Sequence, residues 1–293
     1  MQLKGSQVAL VTPMKASGAI DEVALDRLVE WHIEAGTEAL VIAGTTGESP
    51  TLLRDEHESL LRRVIGIVDG RVPVIAGTGS NSTEQTLDMS RRAVAAGADA
   101  LLLVVPYYNK PPQRALAAHF RTVADAVDCP ILLYNVPSRT GVDLLPETVA
   151  ELAAVANIVG IKEASARLDR VSELRLRCGP AFVLLSGDDA TAAAFMLAGG
   201  DGVISVTANV VPQRMRRLCD AARNGDLETA QALDQELVRL NQALFLESNP
   251  IPVKWALQRM GRIESGIRQP LLGLAEAHQA QVESALKALG VVE

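Results

Sequence analysis

The chain has 293 residues, 48% of them hydrophobic and 22% charged, and a formal net charge of −7. That is enough chain for one large core or two modest ones, and the acidic balance argues against a nucleic-acid-binding surface. Three scattered cysteines form no CxxC pair, four histidines show no HxH or HExxH spacing, and no apolar stretch reaches the ~18 residues of a membrane span. The start of the chain reads straight into a strand without a signal peptide, so the expected compartment is the cytoplasm.

In chain order, short apolar β-runs begin near Val8, Ala39, Val74, Ala100, Ile131, Ile158, Phe182 and Val203. Amphipathic segments separate them, such as Glu22 to Ala35, Asp55 to Val68, Thr83 to Ala96 and Gln113 to Ala126. Gly and Pro punctuate the joins, as in Gly70-Arg71-Val72-Pro73 and Gly97-Ala98-Asp99. Strict alternation of this kind implies a parallel sheet, and eight βα units fit a closed (β/α)8 TIM barrel. A doubly wound open sheet is the alternative, but Ser82 breaks the GxGxxG fingerprint that Gly77-Thr78-Gly79 would begin. From Pro212 onward the chain loses its strands and reads as helices over Arg214 to Arg223, Asp226 to Leu246 and Pro252 to Arg259. The expected organisation is a catalytic barrel over residues 1–224 and a C-terminal helical extension over 225–293. That extension needs an apolar partner, either the barrel flank or another subunit.

Chemistry in such barrels sits at the C-terminal ends of the strands. Here those ends are rich in glycine, hydroxyls and amides, and all three tyrosines of the chain, Tyr107, Tyr108 and Tyr134, fall among them. Lys162 ends the apolar run Asn157-Ile158-Val159-Gly160-Ile161-Lys162-Glu163. A strand of that composition is buried on both faces, and desolvation of a lysine on its end favours the neutral, nucleophilic amine. A lysine that merely caps the strand in solvent is the plainer reading of the position alone.

Strand alternation places Ile158, Gly160 and Lys162 on one face, and Leu132 and Tyr134 on one face. If both faces are the lumen, the phenol and the amine meet on neighbouring strands, where a phenol can move protons during carbinolamine formation and dehydration. The turn Gly44-Thr45-Thr46-Gly47 reads as a plain βα connection or as a small uncharged cradle for a carboxylate. Arg139, within Pro137-Ser138-Arg139-Thr140-Gly141, offers a fork for a second carboxylate or is an ordinary surface arginine. An amine, phenols, a neutral cradle and one arginine together suggest a keto-acid Schiff-base enzyme. A metal-dependent aldolase is the competing chemistry, weakened by the scattered histidines.

At these residues the sequence resembles the dihydrodipicolinate synthase/N-acetylneuraminate lyase superfamily, and within it the dihydrodipicolinate synthase family. The resemblance covers essentially the whole chain and rests on Gly44 to Glu48, Tyr134 to Gly141, Gly160 to Ala164, Leu185 to Asp189 and Ser248 to Lys254. It implies condensation of pyruvate with L-aspartate-4-semialdehyde in lysine and diaminopimelate biosynthesis, with no cofactor other than the covalent Schiff base on Lys162. It further implies that Tyr134 exchanges protons and that Thr45 links it to Tyr108, which reaches in from a neighbouring subunit of a homotetramer built as a dimer of dimers. Thr46 would hold the pyruvate carboxylate with backbone help near Gly187 and Ile204, and Arg139 the carboxylate of the second substrate. Other pyruvate-dependent aldolases and lyases, or a silent keto-acid-binding barrel, share parts of this set. Ser49, His57, Asn81 and Tyr107 match a lysine-effector site, but Arg54 stands where inhibited members carry histidine and Gln85 where they carry an acid. The resemblance therefore implies a degenerate effector site.

Overall fold

The structure is a computed structural model and describes residues 3–293. Eight strands, Gly5–Ala9 (β1), Ala39–Ile42 (β2), Val74–Gly77 (β3), Ala100–Val104 (β4), Ile131–Asn135 (β5), Ile158–Glu163 (β6), Val183–Ser186 (β7) and Gly202–Ser205 (β8), form a closed barrel in sequence order. Neighbours are parallel, and β8 pairs with β1 through Gly5 opposite Gly202 and Gln7 opposite Ile204. The barrel strands are connected by α1 (Glu22–Glu34), α2 (Arg54–Val68), α3 (Thr83–Ala96), α4 (Gln113–Ala126), α5 (Pro137–Thr140), α6 (Pro146–Leu152), α7 (Asp169–Cys178) and α8 (Ala192–Leu197). Four more helices follow: α9 (Pro212–Arg223), α10 (Leu227–Ala243), α11 (Ile251–Arg259) and α12 (Glu276–Ala288).

Local chemistry explains the helix starts. Asp21 accepts the Ala24 N–H at the head of α1, and Ser82 accepts that of Gln85 at the head of α3. The strands bury both faces. Val8, Leu40, Leu101, Leu133 and Ile161 point outward against the helices, while Ala9, Val41, Ile75, Leu102, Leu132 and Ile204 fill the lumen. Each fully buried Leu or Ile contributes roughly 1.5–3 kcal/mol, which is why the layer pattern and not the loops fixes the strand register.

Two expectations about the strands need correction. The first strand begins at Gly5, three residues before Val8, because Ser6 and Gln7 are wholly buried despite being polar. Ile158 does not share the face of Lys162. The β5–β6 register shifts between Ile131 and Leu132, so Ile131 pairs with Ile158 but Leu132 pairs with Gly160. The extra residue leaves Ile158 in the outer core, and Val159 packs with the lumen side chains instead.

Asn224 closes α9, and we place the end of the barrel there. Beyond it α10 lies on α9, and α12 packs on both α10 and α11. Cys129, Cys178 and Cys219 are all free, and among the described residues no helix is long and apolar enough to cross a membrane.

Candidate active site

The bulge that displaces Ile158 brings the two central groups into register. Tyr134 on β5 pairs with Lys162 on β6, and the lysine Nζ lies 4.4 Å from the centre of the phenol ring. Both side chains are buried, at 7% and 6% exposure, so the amine sits in the barrel mouth and not in bulk solvent. Among the described residues no carboxylate pairs with Lys162 Nζ. Gly187, at the end of β7, donates its N–H to Glu163 O, and a Cβ there would stand only 2.6 Å from that of Ala164. The bare backbone at 187 lies against the lysine chain, and the Ile204 side chain is buried in the same lumen cluster as Tyr134.

A second buried lysine makes the contrast clear. Lys254 on α11 ion-pairs with the buried Glu48 and donates to Thr12 O at 3.0 Å. Burial pushes its pKa down, and the neighbouring Glu48 carboxylate opposes that shift. Glu48 also accepts the Arg268 N–H at 3.0 Å, so its position in the left-handed region, at φ 58°, is fixed from two sides. The cation at 254 is thus a structural clamp on the turn 44–48, and the amine at 162 is left without such a partner.

That turn carries Thr45 and Thr46. Thr46 is buried, and its Oγ accepts from Asn249 Nδ2 at 3.0 Å. Thr45 and Tyr134 line one small cavity of about 30 Å³ at the barrel mouth. A larger cavity of about 400 Å³ opens beside it, lined by Thr45, Arg139, Ser49, Arg54, Gln85 and Tyr107 among others. Arg139 is exposed, and its Nη2 donates to the main-chain oxygen of Asn249 at 3.2 Å.

Behind Tyr134 and Lys162, Asn135 faces Glu163 across β5 and β6. The Asn135 amide donates to Glu163 and Asp143, and the fully buried Arg170 from α7 ion-pairs with the same two carboxylates. Each strand therefore carries, one residue beyond its lumen group, a side chain tied into one buried charged network.

Not every residue singled out from the sequence joins this site. Tyr108 is 88% exposed, with φ 72°, and lines neither cavity with Thr45 or Tyr134. His57 is buried under the larger cavity, where its Nε2–H donates to Gly77 O at 2.9 Å and burial lowers its pKa. Asn81 contributes its main-chain oxygen to Asn109 Nδ2 at 2.9 Å and lines neither cavity. Asn249, Lys254, Glu48 and Arg170 carry no role in the sequence reading. Their signals were weak: Ser248 to Lys254 stood out only as a motif, and nothing local ties it to a turn some two hundred residues earlier. Among the described residues no group of three His, Cys, Asp or Glu side chains is placed to hold a metal ion.

Comparison with known proteins finds relatives over essentially the whole chain. The 4-hydroxy-tetrahydrodipicolinate synthase of Alcanivorax borkumensis is 56% identical over 291 residues, covering 99% of each chain. That of Methylococcus capsulatus is 55% identical over 290 residues, covering 99% of this chain and 100% of its own. Among solved structures, the chloride-inhibited dihydrodipicolinate synthase of Acinetobacter baumannii complexed with pyruvate superposes with a TM-score of 0.98 at 47% identity, covering 99% of this chain and 100% of that one. The dihydrodipicolinate synthase of Cyanidioschyzon merolae with lysine bound gives a TM-score of 0.96 at 39% identity, covering both chains fully. The model of the dihydrodipicolinate synthetase family matches residues 2–289, and the chain belongs to that family.

Proposed function

We propose that this chain performs its reaction, the condensation of pyruvate with L-aspartate-4-semialdehyde, through an imine on Lys162. The activity is that of a 4-hydroxy-tetrahydrodipicolinate synthase, a lyase of lysine and diaminopimelate biosynthesis. The neutral amine adds to C2 of pyruvate, and the carbinolamine loses water. The resulting iminium withdraws electrons from C3, which gives up a proton to form the enamine. The enamine carbon then attacks the aldehyde carbon of the second substrate, whose oxygen takes up a proton. The imine is the electron sink, so the chemistry asks for no cofactor.

Tyr134 is the group next to the amine and serves as proton donor and acceptor in forming and dehydrating the carbinolamine. Thr46 holds the pyruvate carboxylate, with the backbone at Gly187 and the wall at Ile204 shaping the pocket. Thr45 connects Tyr134 to Tyr108, which on this reading comes from a second copy of the chain, in a homotetramer built as a dimer of dimers. Arg139, at the rim of the larger cavity, receives the carboxylate of the aldehyde substrate. Ser49, Arg54, His57, Asn81, Gln85 and Tyr107 would make a degenerate effector site. A biosynthetic role on these substrates also places the enzyme in the cytoplasm.

The observation that carries the reading is a buried, carboxylate-free Lys162 in register with Tyr134. Borohydride reduction in the presence of pyruvate should fix one pyruvate-derived adduct per chain, on the peptide containing Lys162. An unlabelled Lys162 peptide would sink the mechanism. Consumption of aspartate semialdehyde by the pyruvate-loaded enzyme, against other aldehydes, separates this activity from related pyruvate aldolases.

A further inference from the structure

We infer that Asn249 is a positioning residue that turns the Thr46 hydroxyl into a hydrogen-bond donor for the substrate carboxylate. The inference rests on the assignment of Thr46 to the pyruvate carboxylate made above.

Thr46 is 2% exposed, and its oxygen accepts from the Asn249 amide nitrogen at 3.0 Å. An N–H can only donate, so this contact occupies a lone pair of the hydroxyl and leaves its proton unspent. Among the described residues nothing accepts that proton. A buried hydroxyl whose acceptor side is satisfied and whose donor side is empty is matched to a ligand that only accepts, and a carboxylate is such a ligand. Turned the other way, the amide oxygen would take the Thr46 proton and present hydroxyl lone pairs to the anion. The chemistry of an anionic substrate therefore selects the orientation in which the amide nitrogen faces Thr46.

Burial and the main chain hold the residue in place: Asn249 is 6% exposed, its main-chain oxygen accepts from Arg139 Nη2 at 3.2 Å, and its Oδ1 is buried without a partner. Ile251 opens α11 two residues later, and Lys254 on that helix is ion-paired with Glu48 in the turn that carries Thr46. The C-terminal extension thus places one residue between the two proposed carboxylate anchors, with its amide on Thr46 and its carbonyl on Arg139.

The test is a double-mutant cycle on KM for pyruvate in the full-length enzyme, with thermal melts for each variant. N249D is nearly isosteric and replaces the donor by acceptors. It should raise KM by about ten-fold or more, and T46V should do the same, the scale of a hydrogen bond to a charged group. In the T46V background N249D should change KM less than about two-fold, because no hydroxyl remains to be turned. The first-order rate of borohydride trapping at saturating pyruvate should move less than about two-fold in N249D. Should N249D lose its cooperative melt, N249A replaces it, with about a three-fold rise that again vanishes with T46V. If T46V leaves KM unchanged, the assignment of Thr46 fails and the inference with it. If T46V raises KM but either Asn249 variant multiplies it further by its full effect, the Thr46 assignment stands and the positioning role is overturned.

Discussion

Gly187 makes room for Lys162: a Cβ added at position 187 would stand 2.9 Å from the lysine Cε and 3.1 Å from its Cγ. Contacts that close force the lysine chain off its path toward the barrel axis. Gly187→Ala should therefore cut turnover at least ten-fold and slow borohydride trapping in parallel, while overpacking lowers stability by about 1–3 kcal/mol. Trapping at the wild-type rate would show that the lysine does not depend on this space.

Arg170 is the only counter-cation that the described residues offer to the buried carboxylate of Glu163. Arg170→Met would leave that charge unpaired in the core, at a cost of about 3–5 kcal/mol. Urea denaturation should show the midpoint falling, and adding Glu163→Gln should recover part of the loss because an amide carries no charge to desolvate. A double variant no more stable than Arg170→Met would mean that the network stabilises through packing alone.

Two buried histidines give the stability a defined pH dependence. Burial pushes His32 down to about 3, with Arg262 adding to the shift, and pushes His119 down to about 4. The unfolded chain binds a proton at each below pH ~6.5, whereas the folded chain stays neutral there. Stability is thus fully present above that pH. It is lost as pH falls through the window, at up to ~1.4 kcal/mol per pH unit for each group, until the folded values are reached. His32→Asn should flatten the slope between about pH 6 and pH 4 by close to one proton's worth. An unchanged slope would place the linkage elsewhere.

The barrel was legible because strands buried on both faces must be apolar throughout, and seven of the eight runs start where the sequence reading puts them or one residue away. The first strand was misplaced because Ser6 and Gln7 are polar yet fully buried in the wall. Ile158 was misread because a bulge resets alternation, and bulges have no residue signature of their own here. Lys162 and Tyr134 survived that error because the bulge lies upstream of both. What no local pattern reveals is closure over long sequence distance. Asn249 on Thr46, Lys254 on Glu48 and Arg170 on Asp143 are paired only by the fold.

Lysine should inhibit this enzyme weakly or not at all. Gln85 offers no charge to an ammonium, and its Oε1 already accepts from Ser80 Oγ at 2.9 Å. Arg54 lines the same cavity and pairs with Asp88 at 3.4 Å, so it adds positive charge where a cation would have to enter. Losing one charge-assisted contact costs ~1.5–3 kcal/mol, an order of magnitude or more in affinity. Gln85→Glu combined with Arg54→His should lower the inhibition constant for lysine at least ten-fold, read by steady-state assay. Strong inhibition of the unmodified enzyme would refute the reading.

Tyr108 is 88% exposed on a single chain, although a proton relay buried with Thr45 and Tyr134 would need it inside. Its backbone lies in the left-handed region, at φ 72°, and the next residue, Asn109, donates from Nδ2 to Asn81 O. That exposure fits the proposal that Tyr108 enters a neighbouring copy. Tyr108→Phe should lower turnover at least ten-fold while pyruvate trapping on Lys162 persists, since the amine and Tyr134 are intact. Subunit mixing tests the direction of the contact. Tyr108→Phe homo-oligomers should keep a tenth of the activity or less, and Lys162→Ala homo-oligomers none. Random pairing of the two builds one complete site in each mixed dimer, so activity should return to about a quarter of the wild-type level. If the mixture stays as inactive as its parents, Tyr108 does not serve a neighbour's lysine.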